Sequence, residues 1–202
     1  MKMNPFAPSD FGPNSISVQV SELLVSTADN TDEGIDRSIG EVLKLLRERM
    51  GMDVVFVSEF VNGERVFRKV DQAPGVKVIA EGEGAPLEQS WCQRVVDGRL
   101  PQYIADAKKE PAAAPLLKEL PFPIGTHLST PLVLGNGEVY GTLCCFSFEP
   151  NGHVSFEDLT RLKLTAKLAA QRLESRRQAQ ASAAAPARQA AGGVPDWQLK
   201  PK

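Results

Sequence analysis

The sequence is poor in the residues that build disulfide and metal frameworks. It has three cysteines and two histidines in 202 residues, and no pair of cysteines has the C-x-x-C spacing. An odd cysteine count without that spacing argues against a disulfide framework, and two distant histidines cannot complete a zinc site. We therefore predict no metal, no cofactor and thiols that stay reduced.

Long apolar runs and blocks of one charge are also missing. No stretch of about 18 apolar residues occurs, and residues 1–15 lack the apolar centre of a signal peptide. The 23 basic and 25 acidic residues are intermixed, with a net charge of −2. These absences predict a cytoplasmic protein that binds neither a membrane nor nucleic acid.

The end of the chain contains few large apolar side chains that a core could bury. Residues 179–202 are mostly Ala, Pro, Gly and Gln, with Trp197 as their main apolar side chain. Such a composition is typical of disordered segments. We predict a flexible segment at residues 1–14, one folded domain at 15–178 and a disordered low-complexity tail at 179–202. Trp197 is expected to be solvated, or alternatively to dock onto a partner.

Apolar residues at helical spacing predict two helices before the first strand. The stripe of the first helix, within residues 16–28, consists of Ile16, Val20, Leu23 and Leu24. The second helix begins at Thr31 or Asp32 and ends at Gly51.

Strand patterns fill the middle of the chain. Two hairpins, with Asn-Gly turns at 62–63 and 136–137, supply four strands, and segments 76–82 and 101–106 supply one each. Helices and strands in this order predict an α+β domain with a largely antiparallel sheet of about six strands and long helices on one side.

Two connections between these strands have local signals of their own. Pro86 is expected to open a short helix that carries Trp91 on one side and ends at Gly98. Segment 111–123 contains four prolines, which limit it to a loop with one helical turn.

A last helix is predicted from about Phe156 to Gln178, capped by Ser155 and Asp158. Its apolar seam consists of Leu159, Leu162, Ala166, Ala169 and Leu173, with Leu164 and Leu168 outside the seam. The spacing of three and four residues is typical of coiled coils, so we predict a homodimer through the terminal helices. The alternative is that the whole stripe packs on the sheet of its own chain.

Three blocks of the sequence resemble GAF domains, the small-molecule sensory modules of bacterial signalling proteins. They are residues 82–111, 121–132 and 135–150, and their most specific motifs are SWCQRVVDG and YGTLCCF. The likeness covers roughly residues 16–176 and is greatest to GAF domains that precede cyclic-di-GMP phosphodiesterase (EAL) domains.

The resemblance implies a GAF/PAS-like fold and a sensory function. In this family the N- and C-terminal helices pack on one face of a six-stranded sheet, and the ligand pocket lies on the other face. The implied function is binding of an unidentified small molecule and signalling through the terminal helices. After the last helix only the tail is left, so we expect sensing or association, with any output on a separate protein, and no hydrolysis of cyclic-di-GMP.

Adjacent cysteines at 144 and 145 point to opposite faces of their strand, so a disulfide between them is not expected. One face carries Tyr140, Thr142, Cys144, Phe146 and Phe148, and the other carries Val139, Gly141, Leu143 and Cys145. We predict that the second face packs on the helices, with Gly141 admitting a helix backbone and Cys145 as inert core. Cys144 would then face the pocket, as core filler, pocket lining or a reactive thiol.

The candidate ligand-binding residues combine this strand with the family layout. They are Phe56, Ser58, Trp91, Cys92, His127, Ser129, Thr142 and Cys144. Glu88, one turn before Cys92, is expected to raise the pKa of that thiol. His127 is either a neutral ligand contact or a hydrogen-bonded structural residue, and His153 is expected in a solvated loop.

Several specialised GAF functions lack their motifs here. The segment before strand HLSTPL contains no bilin-attaching cysteine, and Cys92 is followed by Gln93 instead of histidine. No cysteine lies near His127, as in members that reduce free methionine sulfoxide, and the Asn-Lys…Phe…Asp-Glu signature of cyclic-nucleotide binders is absent. We therefore predict a protein that is not an enzyme. The competing hypotheses are a thiol enzyme or redox sensor that uses Cys92 and Cys144, and a ligand-free structural dimerisation module.

Overall fold

The structure is a computed structural model that describes residues 19–20 and 32–191. From residue 32 onward its helices are α1 (Asp32–Met50), α2 (Trp91–Val96) and α3 (Phe156–Ala191). Its strands are β1 (Val54–Val61), β2 (Glu64–Gln72), β3 (Gly84–Pro86), β4 (Tyr103–Ile104), β5 (His127–Val133) and β6 (Val139–Phe146). Two 3₁₀ helices span Leu87–Gln89 and Ala114–Glu119.

The six strands form one antiparallel sheet in the order β3-β2-β1-β6-β5-β4. The turn between β1 and β2 has positive φ at both Asn62 (52°) and Gly63 (77°), which these residue types tolerate best and which matches the twist of a two-residue hairpin. The α+β fold and the sheet of about six strands are confirmed.

One face of the sheet is covered by α1 and α3. Leu43 and Leu46 of α1 and Leu162 of α3 are almost fully buried against sheet residues that include Leu132 and Leu143. Burial of each such side chain stabilises the fold by about 1.5–3 kcal/mol. The prediction that the terminal helices pack on one face is confirmed for α1 and α3.

The predicted coiled-coil seam of α3 belongs to this intramolecular core. All five seam residues are buried among sheet and α1 side chains, namely Leu159, Leu162, Ala166, Ala169 and Leu173. The seam is therefore not free for a second chain, and its spacing reflects sheet packing. Leu164, outside the seam, is 43% exposed.

The start of α3 is predicted correctly and its end is not. Backbone N–H groups of Ser155 and Glu157 donate to Asp158 and to the Ser155 hydroxyl, as a capping pair requires. The helix then continues to Ala191 instead of ending near Gln178. Alanine, which has the highest helix propensity, is the commonest residue of this added stretch, although the stretch also contains Pro186, which disfavours a helix interior.

Predictions for the two ends of the chain lie largely outside the described residues. Of the first predicted helix only Gln19 and Val20 are described, both helical, with Val20 buried in the helix-side core. Residues 1–18 and 192–202, which include Trp197, fall outside the described part, so the flexible start and the disorder of residues 192–202 stay predictions, whereas residues 179–191 of the predicted tail are helical.

Segment 76–82 does not form the predicted strand. The Gln72 side chain satisfies its backbone instead, accepting from Val78 N (2.9 Å) and donating to Ile79 O (3.0 Å). The third strand is β3, which pairs with the start of β2. Because β3 ends at Pro86, the predicted short helix is divided into a 3₁₀ turn and α2, separated at Ser90.

Two assignments on β6 are wrong. The pairing of β5 with β6 shifts between Leu132 and Val133, and Tyr140 lies at the shift and packs in the helix-side core instead of the pocket. Gly141 does not admit a helix: a Cβ there would lie 1.9 Å from the carbonyl oxygen of Ser58 on β1. The close approach is between two strands.

Candidate functional site

A cavity of about 220 Å³ lies on the sheet face opposite the helices. Its floor is formed by β1, β2 and β6, and its cover by α2, the segment around Ile79 and the loop after the second 3₁₀ helix. Aromatic rings supply much of its wall, namely Phe56, Phe67, Trp91, Phe122 and Phe146. A concave, largely apolar space of this kind is the usual form of a small-molecule site.

The aromatic walls are held by contacts between rings. Phe56 and Phe67 meet edge to face at 4.8 Å, and Phe122 stacks on Phe146 at 5.4 Å. Such pairs contribute about 0.5–1.5 kcal/mol beyond the area that they bury. These contacts hold the rings of the cavity wall against one another.

Ser90 fixes the direction of α2. Its hydroxyl accepts from Gln93 N (3.1 Å) and donates to Leu87 O (2.8 Å), which joins the helix start to the preceding 3₁₀ turn. Trp91 and Cys92 follow directly and are buried against the cavity. This local cap explains why the SWC motif places an aromatic ring and a thiol at one wall.

The eight predicted site residues divide into two layers. Those that line the cavity are Phe56, Trp91, Cys92 and His127. Those that lie beneath it as a buried cluster of hydroxyls and a thiol are Ser58, Ser129, Thr142 and Cys144. The structure thus brings all eight to one region, and contact of each with a ligand stays a prediction.

The buried cluster is connected by short hydrogen bonds. Ser58 Oγ and Thr142 Oγ1 lie 2.9 Å apart, as do Ser129 Oγ and Cys144 Sγ. Cys144 Sγ also donates to Thr142 Oγ1 at 3.1 Å. The cluster reaches the cavity through Cys92, whose sulfur is 3.7 Å from that of Cys144.

The pKa of Cys92 differs from the sequence prediction. A hydrogen bond from Cys144, opposed by burial and assisted by Thr142 and the charge of Arg65, lowers the pKa of Cys92 to about 6. Glu88 does not raise it, because that carboxylate is exposed and lies 3.6 Å from Arg99. Burial, together with its interaction with Cys92, raises the pKa of Cys144 well above the ordinary thiol value.

Cys145 and His153 lie where the sequence predicts them. Cys145 is fully buried in the helix-side core, and burial raises the pKa of its thiol. His153 is exposed in the turn before α3. Neither belongs to the cavity.

Arg65 is a charged cavity residue that the sequence did not predict, and the rings of Phe67 and Phe122 are further unpredicted parts of the lining. Its guanidinium carbon lies 3.6 Å from the centroid of the Phe67 ring, and its Nη1 is buried without a hydrogen-bond partner among the described residues. The available signal was strand alternation, since Arg65 and Phe67 are two residues apart and share a face.

His127 is 2% exposed, and its Nδ1 has no hydrogen-bond partner in the described part of the chain. Burial lowers the pKa of this imidazole to about 4, so it is neutral at pH 7. The alternative of a fully hydrogen-bonded structural histidine is therefore not observed.

Two broader features are absent from residues 19–20 and 32–191. No cluster of three or more His, Cys, Asp or Glu side chains there is arranged to hold a metal ion. No helix there has the length and apolar character needed to span a membrane.

Solved structures with this fold come from several kinds of protein. The GAF domain of an Acinetobacter phosphoenolpyruvate-protein phosphotransferase has a TM-score of 0.62 at 13% identity, with 87% of this chain and 95% of that chain covered. Free methionine-R-sulfoxide reductase from Neisseria meningitidis has a TM-score of 0.62 at 18% identity, with coverages of 89% and 99%. The chromophore-binding domain of a bacteriophytochrome from R. palustris has a TM-score of 0.66 at 13% identity, with coverages of 89% and 64%.

At these identities the structural likeness establishes the fold alone. No curated protein matches the sequence. The GAF domain profile, in contrast, matches residues 34–174, which include nearly all of α1, the first half of α3 and every residue of the cavity. The chain therefore belongs to the GAF domain family.

Proposed function

We propose that this chain is a sensory GAF domain that binds a small molecule in the cavity beneath α2 and is not an enzyme. The observation that carries the proposal is an aromatic-walled space of about 220 Å³ on the sheet face opposite the helices. Ligand sites of other proteins combine such apolar walls with a few polar groups that orient the ligand. Arg65 and His127 are polar groups of that kind.

The proposed output is a shift in population between two arrangements of the helices. Strand β5 has side chains on both faces: His127 lines the cavity, whereas Leu128 and Leu132 pack in the helix-side core. A ligand that binds one arrangement of α2 and β5 more tightly would stabilise the matching position of α3.

The proposal is tested by purifying the protein from its native host and measuring its intact mass by mass spectrometry under non-denaturing conditions. A retained metabolite is expected. Ala85 lines the cavity, so Ala85→Phe should abolish retention, whereas Ala112→Phe, at an exposed site, should not. If both variants retain the same molecule, the cavity is not the binding site. A protein that retains nothing and is not stabilised by any ligand favours a ligand-free dimerisation module.

We also propose a homodimer through the terminal helices and a separate cytoplasmic output protein. Since the α3 seam is occupied by the sheet, the dimer contact would use the outer side of α3, where Leu164 is exposed. A place upstream of an EAL-type domain in a longer protein is the other arrangement that fits a sensory role. Sedimentation of the wild type at several concentrations separates monomer from dimer.

A second candidate function is thiol-based redox sensing, which the 3.7 Å distance between the sulfurs of Cys92 and Cys144 favours. Hydrogen peroxide would convert the Cys92 thiolate to a sulfenic acid, releasing hydroxide. Attack of the Cys144 sulfur on that acid would form the disulfide and release water. Overall, two thiols and one peroxide give one disulfide and two waters.

The redox candidate predicts a loss of two hydrogens on peroxide treatment of the wild type, measured as intact mass. Cys144→Ala should instead stop at the sulfenic acid or its further oxidation products, and Cys145→Ala, the matched control, should behave as wild type because Cys145 lies in the other core. A wild type that gains only oxygen would contradict this candidate.

A further inference from the structure

Arg65 is the cationic side chain among the residues that line the cavity. A guanidinium stays protonated in proteins, so it places a positive charge at this apolar wall. Its Nη1 is buried and, within the described residues, has no hydrogen-bond partner. A buried charged donor without a partner is costly, and a ligand that accepts from it removes that cost.

Acidic side chains nearby do not pair with Arg65. Glu83 acts on it electrostatically, but the Glu83 carboxylate accepts from Ala80 N at 2.9 Å. Glu119, the carboxylate among the lining residues, is exposed to solvent. The thiols of Cys92 and Cys144 act on the Arg65 charge more strongly than Glu83 does, but neither accepts a hydrogen bond from Arg65. In the described residues Arg65 forms no ion pair, so its Nη1 is available to an anion inside the cavity.

His127 supplies a second unused polar atom in the same cavity. Its ring meets Trp91 edge to face at 5.3 Å, and its Nδ1 is buried without a partner among the described residues. A neutral imidazole nitrogen either donates or accepts one hydrogen bond. It adds a directional contact and no second positive charge.

The remaining wall sets the size and character of the occupant. A cavity of about 150 Å³ lined by apolar side chains holds a benzene molecule in another protein. A space of about 220 Å³ therefore has room for one ring and a small polar group. One guanidinium neutralises one negative charge, which fits a carboxylate better than a phosphate group, since the latter carries nearly two charges and three acceptor oxygens.

We infer that the cavity takes a small carboxylic acid with a single aromatic ring, whose carboxylate accepts from Arg65 while the ring packs among Phe56, Phe67 and Trp91. His127 hydrogen-bonds a second polar atom of the same ligand. This inference rests on the proposed function, since it names the class of molecule for that site.

The test uses Trp91 as a reporter. Because the sequence has two tryptophans, Trp197→Phe leaves Trp91 emission as the signal of the cavity. In this background the protein is titrated with benzoate and phenylacetate and with benzamide and phenylacetamide, which have the same shape and no charge. The variants are Arg65→Met and, as a matched control on the same strand, Arg68→Met, whose guanidinium pairs with Glu59 outside the cavity.

At least one acid should bind more tightly than its amide. Arg65→Met should lower the affinity for that acid by roughly 10- to 100-fold, as expected for loss of a hydrogen bond to a charged group. The affinity for the amide should not change. Arg68→Met should leave both unchanged. If Arg65→Met fails to fold, the comparison of acid with amide in the unsubstituted protein decides.

The inference would be overturned by equal affinities for acid and amide, or by an affinity for the acid that Arg65→Met leaves unchanged. Either result would leave a sensor of neutral molecules. No change in Trp91 emission or thermal stability with any of the four compounds would overturn it as well. In that case a metabolite retained from the native host still supports the proposed function, and its absence removes both proposals.

Discussion

The sulfurs of Cys92 and Cys144 lie 3.7 Å apart, one on the short helix over the cavity and the other on the central strand beneath it. A disulfide bond is about 2.05 Å long, so the two thiols are in contact but not bonded. Since Cys144 is the largest cause of the low pKa of Cys92, the pair titrates as one unit.

The pH dependence of alkylation tests this pairing. The rate for Cys92 with a small reagent such as iodoacetamide should rise with a midpoint near pH 6, well below the ordinary thiol value. Cys144→Ala removes the donor and should move the midpoint upward. An unchanged midpoint in that variant would show that Cys144 does not stabilise the thiolate, and Cys145→Ala serves as the control.

His127 should make the fold sensitive to acid. Its folded-state pKa of about 4 lies below the unfolded value of 6.5, so between these values the unfolded chain binds the extra proton. Stability should therefore fall as pH drops from about 6.5 to about 4, by roughly 3 kcal/mol in all.

Urea denaturation at several pH values measures that loss. His127→Asn cannot take up the proton and should flatten the curve over this interval. His153→Asn, at an exposed position, should keep the wild-type profile. A profile that His127→Asn leaves unchanged would assign the acid sensitivity to other groups.

Gly141 should tolerate no side chain. In Gly141→Ala the new Cβ would lie 1.9 Å from Ser58 O, and backbone in a central strand cannot move aside, so we expect a loss of about 3 kcal/mol or more. Gly40→Ala is the control, because a Cβ in that part of α1 meets nothing within 4 Å and should stabilise the helix by up to about 1 kcal/mol. Urea midpoints that shift equally would refute the close contact.

Substitutions at Leu162 and Leu164 distinguish a loss of folding from a loss of association. Leu162 is fully buried, so Leu162→Glu should unfold the domain, which circular dichroism would detect. Leu164 is 43% exposed, so Leu164→Glu should stay folded. If the wild type sediments as a dimer and Leu164→Glu as a monomer, the outer side of α3 is the interface; a folded dimer of Leu164→Glu would place the interface elsewhere.

The order of most elements could be predicted because each has a local signal. Asn-Gly turns marked the hairpins, and the Ser155–Asp158 pair marked the start of α3. The strand predicted for segment 76–82 is wrong because the Gln72 side chain, and not a neighbouring strand, binds the backbone of this segment. No local pattern in the sequence reveals that partner. The position of Tyr140 depends on a register shift between strands, which is set by pairing and not by the sequence of one strand.

Part of the cavity lining was predictable from the sequence, whereas its chemistry was not. Strand alternation and the family layout assembled the residues around the cavity, including Cys92 and His127. The pKa of Cys92 depends on a contact with a residue 52 positions away, so the nearby Glu88 gave the wrong direction. Arg65 was overlooked because a cation on a hairpin strand ordinarily faces water.

Cys144 and Cys145 are neighbours in the chain, yet one packs on the cavity side and the other among the helices. Successive side chains of a strand point to opposite faces, so a single layer of backbone separates the cavity side of the sheet from its helix side. Protein interiors are closely packed, so the sheet backbone at this point cannot move without moving the side chains on both of its faces. A bulky occupant could move α2, which leaves the helix side of the sheet in place, or push β6 toward α3, which changes the packing of that helix.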